Sequence, residues 1–140
     1  MRNLLLLVTI FTAIALTTGC GDGKLATIKV SGTVTYDGAP LAGAAVSFSP
    51  KGEGHPAYGF TDDNGYYILQ TQLGNPDAGT TPGEYEVTIR KRKELPDNER
   101  RGVIEAPSII PERYENPAMS GLTATVEKGK ENVFDFTLTK

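Results

Sequence analysis

The chain has 140 residues, with 14 Lys or Arg against 17 Asp or Glu, a formal charge of −3, and 39% hydrophobic residues. That length holds one domain, and a mildly acidic balance argues against a general nucleic-acid binder, which carries a strong positive excess. One cysteine forms no internal disulfide, and with a single histidine beside it no thiolate or imidazole metal cage can be assembled.

Taken in chain order, Met1-Arg2-Asn3 supplies a short positive start. Leu4 to Leu16 is an apolar run of signal-peptide length, too short to span a bilayer comfortably as a helix. Residues 1–19 therefore read as an export signal. Gly19-Cys20 at its end resembles the lipobox of bacterial lipoproteins, whose signal peptidase cuts before a cysteine that then carries acyl chains. The thioether to diacylglycerol forms on sulfur, and small residues beside it let the extended chain fit the peptidase, places that Thr18 and Gly19 suit. Thr17 stands where that family usually has Leu, and Leu16 lies one place further back. Ala13-Ile14-Ala15 also fits the A-x-A pattern of ordinary secretion, which would leave Cys20 as a free thiol. In the lipoprotein reading, residues 20–27 are a flexible tether and several acyl chains hold the protein far more firmly than one chain would. Gly21, in place of the Asp that marks inner-membrane retention in Gram-negative lipoproteins, implies the outer membrane.

From Ile28 the sequence switches to period two, with Ile28, Val30, Val34 and Tyr36 on one face and Lys29, Ser31, Thr33 and Thr35 on the other. This is the pattern of a half-buried antiparallel strand. Asp37-Gly38 gives a turn, Ala44, Val46 and Phe48 form a second strand, and Pro50 ends it. Tyr58 and Phe60 form a third strand, and the Asn64-Gly65 turn leads as a hairpin into a fourth carrying Tyr67 and Leu69. Tyr85, Val87 and Ile89 define a fifth, Leu122, Ala124 and Val126 a sixth, and Phe134, Phe136 and Leu138 a seventh. Residues 28–140 are thus predicted to form an all-β domain, a seven-stranded antiparallel β-sandwich with those residues between the sheets. Between the fifth and sixth strands the alternation fails from Lys91 to Gly121, where Pro96, Pro107, Pro111 and Pro117 interrupt it. A connection that long is functional or disordered. Val103-Ile104 and Ile109-Ile110-Pro111 are apolar enough to pack its middle back on the sandwich, leaving charged, mobile ends.

The run Val30-Ser31-Gly32-Thr33-Val34-Thr35-Tyr36-Asp37-Gly38-Ala39-Pro40-Leu41-Ala42-Gly43-Ala44, with Thr61-Asp62-Asp63-Asn64-Gly65-Tyr66-Tyr67 and Pro82-Gly83-Glu84-Tyr85-Glu86-Val87, resembles the carboxypeptidase regulatory-like domain. The resemblance implies a transthyretin-like or immunoglobulin-like sandwich. It is close over Val30 to Ile89 and loose over the closing strands. Ile110-Pro111-Glu112-Arg113-Tyr114 with Ser120-Gly121-Leu122-Thr123 also resembles the tail of small bacterial lipoproteins built from this one domain. The matching residues are turn glycines and core positions, so they imply a fold and not an activity.

His55, in Gly52-Glu53-Gly54-His55-Pro56, has only Glu53 nearby as a second metal ligand and reads as an exposed loop residue. Asp62-Asp63-Asn64-Gly65 lacks the alternating ligands and distal Glu of a calcium loop and reads as a turn. No nucleophile elbow serves the sole histidine, and no acid/base constellation can be assembled, so neither catalysis nor a cofactor is expected. A Lys29 to Asn132 covalent staple is not expected either, because Lys29 has the outward parity.

The strongest charge feature is Arg90-Lys91-Arg92-Lys93 with Arg100-Arg101. With Tyr114, these are the candidate partner-binding residues. They suit an anionic glycan or an envelope protein, although a run so diluted by Glu94, Asp97 and Glu99 is also what a solvated strand end looks like. The expected function is that of a non-catalytic envelope lipoprotein whose sandwich binds such a partner or spaces the cell surface. The alternative is a secreted carbohydrate-binding module without a lipid, in which an exposed Tyr58, Tyr66 or Tyr114 stacks on sugar.

Mass spectrometry of the mature N-terminus separates the two. Acylated Cys20 is expected, and Cys20→Ala should leave the precursor uncleaved at this site; an unmodified end at Leu16 would show ordinary secretion.

Overall fold

The computed structural model describes residues 27–71, 79–103 and 105–140. The expected signal peptide, Cys20 and all but the last residue of the expected tether lie outside the described residues. Among those described, nine strands form: β1 (Val30–Tyr36), β2 (Ala39–Pro40), β3 (Ala45–Pro50), β4 (Ala57–Phe60), β5 (Tyr66–Ile68), β6 (Gly83–Arg90), β7 (Leu122–Val126), β8 (Asn132–Val133) and β9 (Phe136–Leu138). The fold is all-β, as expected. One sheet has the order β4-β3-β6-β7, and the other is centred on β1, which pairs with β2, β5, β8 and β9.

Alternation places the core. Val46 and Phe48 on β3 and Tyr85, Val87 and Ile89 on β6 are buried, and so are Val30 and Val34 on β1 and Phe136 and Leu138 on β9. Phe48 sits at the centre, with ring centroids 5.8 Å from Tyr85, 6.5 Å from Tyr67, 6.0 Å from Phe134 and 6.2 Å from Phe136. Its partners come from both sheets, so the two faces share one core and the domain is sandwich-like.

The structure departs from the expected antiparallel scheme at its close. β9 runs parallel to β1, with Val34 opposite Phe136 and Tyr36 opposite Leu138, and β8 does the same with Val30 opposite Asn132. The reason is where the chain re-enters. β7 ends with Val126 opposite Gly83, at the start of β6, and a turn there returns the chain beside the start of β1. Parity fixes which face points inward and says nothing about direction.

The ladder is interrupted between β8 and β9, and side chains complete it. Phe134 N–H donates to the Ser31 carbonyl at 2.9 Å, while Thr33 donates its N–H and its hydroxyl to Asp135 Oδ1 at 2.8 and 2.7 Å. The Tyr67 hydroxyl donates to the Phe134 carbonyl at 2.8 Å. Gly32 is what admits that carbonyl, because a Cβ there would run into it.

Two further expectations fail around β4. Tyr58 and Phe60, expected inside, are exposed, and Ala57 and Gly59 face the core. Phe48 lies opposite Ala57 and Val46 opposite Gly59, so the large β3 side chains already fill that space. A Cβ on Gly59 would also meet the Ile68 carbonyl. The Asp62–Gly65 turn is present, with Asp62 Oδ1 accepting from Asn64 N–H at 2.8 Å and Tyr66 N–H at 3.0 Å. It joins strands of different sheets instead of closing a hairpin ladder, and one bridge, Tyr58 to Gln70, links them across the seam.

Burial, with Asp135 nearby, raises the Tyr67 pKa well above its ordinary 10.0, so the fold holds the neutral phenol. Stability from a group whose pKa is raised on folding is complete below the unfolded pKa and is lost as pH climbs above it. Tyr67→Phe should cost about 1 kcal/mol near neutrality through the lost hydrogen bond. It should also flatten the alkaline loss of stability above about pH 10 in urea titrations; an unchanged alkaline slope would show that Tyr67 titrates alike in both states.

Candidate functional site

The segment after β6 is built onto the sheet. Arg92 bridges to Ser108, Lys93 N–H donates to the Pro107 carbonyl at 2.9 Å and Ile109 N–H to the Lys91 carbonyl at 3.0 Å. Ile110 enters the core as expected, whereas Val103 and Ile109 are exposed, and Ile104 lies outside the described residues.

A 3-10 turn at Glu112–Glu115 and a short helix α1 (Pro117–Ser120) follow. The signal for α1 is local. Asn116 caps it by accepting from Ala118 N–H at 3.0 Å, Pro117 starts it, and Gly121 ends it at φ 65°. The Ser120 hydroxyl donates to the Val87 carbonyl at 2.7 Å, fixing α1 on β6.

These pieces present Glu115 beneath the end of β6. Its Oε2 accepts from Arg92 Nη2 at 2.6 Å and lies 3.3 Å from Arg90 Nε, and the same Arg92 nitrogen lies 2.7 Å from Glu105 Oε1. The Glu115 side chain is 11% exposed and that of Arg92 28%. Arg92 Nε and Glu115 Oε1 are buried without a hydrogen bond among the described residues. Two of the candidate cations are thus drawn into holding strand to loop.

The others are placed differently. Lys91 lies 3.8 Å from the exposed Glu94, and Arg100 3.5 Å from the exposed Asp97. The Arg100 pair is exposed on both sides and contributes little, and the Lys91 pair is long, with its acid in solvent although the Lys91 side chain is 17% exposed. Lys93 and Arg101 have no ion pair among the described residues.

Arg90, Lys91, Arg92, Lys93 and Arg100 come together around one cleft of about 540 Å³, which contains a single acid, Glu94. Its apolar surface comes from Phe60, Leu95, Val103, Ala45 and Ala106. A volume in this range accommodates a small ligand or one anchor of a larger one. Arg101 is not in the lining.

Tyr114 is not brought there. It is buried, and its oxygen accepts from Thr139 N–H at 3.0 Å and from Arg113 Nη2 at 3.1 Å. The Thr139 N–H, and with less effect the Arg113 guanidinium, hold its pKa below the ordinary value against the opposing effect of burial. Arg113 stacks 4.6 Å from the ring centroid and donates to the Thr139 carbonyl at 2.6 Å. This expected partner contact is a clamp on the end of β9, because its aromatic body serves the core.

A second groove, of about 320 Å³, lies over the β4–β5 seam between Tyr58, Phe60, Asp62 and Tyr66. Phe60 borders both spaces. Sequence reading set Tyr58 and Phe60 in the core, and offered Tyr58 and Tyr66 as exposed aromatics only in its alternative glycan reading, without joining them with Phe60 into one groove; the small Ala57 and Gly59 are the signal that reveals it.

His55 is exposed, and no group of three His, Cys, Asp or Glu side chains suited to a metal occurs among the described residues. Lys29 is exposed, while the buried Asn132 bonds the Glu127 and Lys130 carbonyls, each at 3.0 Å. No family model, curated protein or solved structure matches the chain.

Glu115→Gln should lower stability by about 1 to 3 kcal/mol, because it removes the buried carboxylate shared by Arg90 and Arg92 and leaves the half-buried Arg92 only the exposed Glu105. Glu94→Gln, which removes a solvent-exposed carboxylate 3.8 Å from Lys91, should change little. Urea titration of both variants decides; equal effects would mean the Arg92 pair carries no more than a surface ion pair.

Proposed function

We propose that this chain is a non-catalytic, lipid-anchored envelope protein of the carboxypeptidase regulatory-like type, with a seven-stranded, transthyretin-like sandwich as its core, and that it docks an acidic partner. The observation that carries the reading is the cleft at the end of β6, where five cations line an apolar surface and, with Arg90 and Arg92 held by Glu115 and Glu105, Lys91, Lys93 and Arg100 have no acid closer than 3.5 Å among the described residues. Opposite charge steers an acidic partner and fixes its orientation, and the apolar floor supplies affinity.

The position of the cleft agrees with a tether at Cys20. Ile28, at the start of the predicted domain, bridges to Thr80 just before the start of β6. The cleft lies at the opposite end of that eight-residue strand, about 23 Å away at ~3.3 Å per residue. Nothing in the lining of the cleft resembles a reaction centre, since five of its six charged groups are cations, with no base beside a nucleophile.

Detergent-solubilised full chain should bind poly-L-glutamate with an affinity that falls steeply as salt rises. The variant Lys91→Gln/Lys93→Gln/Arg100→Gln should bind at least about tenfold more weakly. It leaves the Arg92–Glu115 pair intact, so folding is preserved. Unchanged binding by this variant would move the docking surface elsewhere.

A further inference from the structure

The second groove narrows the class of partner, an inference that rests on the acidic-partner reading of the cleft. Tyr58, Phe60 and Tyr66 are 40%, 64% and 37% exposed. Tyr58 and Phe60 alternate on β4, so both leave the same side of the strand, toward solvent. Their cross-strand neighbours on β3 are Ser47 and Ala45, too small to cover the rings. The inner side of β4 carries only Ala57 and Gly59, which is the reverse of the ordinary partition of large apolar residues.

Asp62 and Gln70 are polar side chains of this groove, and the carboxylate is suited to hydroxyl donors. Asp62 uses Oδ1 to hold its turn, and Oδ2 makes no hydrogen bond among the described residues. Exposed aromatic faces carry the negative side of a quadrupole and attract weakly positive C–H groups. A pyranose presents such C–H groups on its faces and hydroxyl donors round its rim. An acidic peptide has no comparable flat C–H face.

Phe60 is the ridge between this groove and the cation-lined cleft. A ligand lying across Phe60 therefore meets aromatic rings and a carboxylate on one side and lysines and Arg100 on the other. A neutral glycan leaves the cations unused, and a free anion leaves the rings unused. We infer that the two form one continuous binding surface for an acidic polysaccharide, whose sugar rings stack on Tyr58, Phe60 and Tyr66 while a carboxylate or other anionic substituent seats against Lys91, Lys93 and Arg100.

Full chain in detergent is tested against polygalacturonate, neutral dextran and poly-L-glutamate, together with the variants Tyr58→Ser/Phe60→Ser and Lys91→Gln/Lys93→Gln/Arg100→Gln. Wild type should prefer polygalacturonate to either of the others by about tenfold or more. The aromatic variant should lose that preference and still bind poly-L-glutamate as wild type does, which also shows that it is folded. The lysine and arginine variant should lose both acidic polymers.

If poly-L-glutamate binds as well as polygalacturonate, and the aromatic variant binds both unchanged, the glycan inference is overturned while the acidic-partner reading stands. If dextran binds as tightly as polygalacturonate and the charge variant is unaffected, both are overturned.

Discussion

The meeting of Gly32 with the Phe134 carbonyl is the contact on which the rest of this domain depends. Only a residue without a side chain lets the closing strand lie this close to β1, and the Tyr67 hydroxyl then takes the carbonyl that the interrupted ladder leaves over. Seated there, β9 delivers Phe136 and Leu138 to the core and carries Thr139 to Tyr114. Tyr114 belongs to the same 3-10 turn as Glu115, and Glu115 holds Arg92 and Arg90 at the end of β6. The wall of the cation-lined cleft is therefore fixed through packed and hydrogen-bonded groups that begin at a glycine on the far side of the core.

The fold was legible where period two was unbroken. Val30 and Val34, Val46 and Phe48, the three apolar residues of β6, Ala124 and Val126, and Phe136 and Leu138 all face inward as alternation requires. β4 was misread because its aromatics were taken as the inward parity of the strand, whereas Phe48 and Val46 had already filled the space that faces Ala57 and Gly59. Packing opposite a large neighbour overrides residue hydrophobicity, and a single strand carries no record of its neighbour. The parallel closing strand was illegible for a related reason. Its direction follows from the end of the sandwich at which β7 releases the chain, a property of two sheets together.

The candidate site was half legible. A basic run at a strand end, followed by a long connection, marks the cleft, and five of the six basic candidates do line it. What charge counting omits is which cations have been claimed. Arg92 is held by two carboxylates, and one of them comes from a turn more than twenty positions along the chain. Tyr114 shows the complementary error. An aromatic in a proline-rich loop looks like a contact residue, yet its ring is buried and its hydroxyl bonded to Thr139. Both misassignments come from reading a residue by its type before its partners are known.

An exposed aromatic costs a small domain the burial that would otherwise stabilise it, on the order of 25 cal/mol for each Å² left in water. One such residue is unremarkable. Three around a single groove, beside a strand whose inward positions are Ala57 and Gly59, amount to a surface that the core does not account for. Phe60 sharpens the point, since it is the most exposed of the three and borders both spaces. The neighbouring cations repeat the logic in charge. Lys93 stands without an ion pair among the described residues, and Lys91 and Arg100 have only exposed partners at 3.8 and 3.5 Å. Apolar faces and weakly paired charge lie on adjoining sides of Phe60, at the end of β6. The combination is what a surface must retain if its affinity is to come from a ligand that is both flat-faced and acidic.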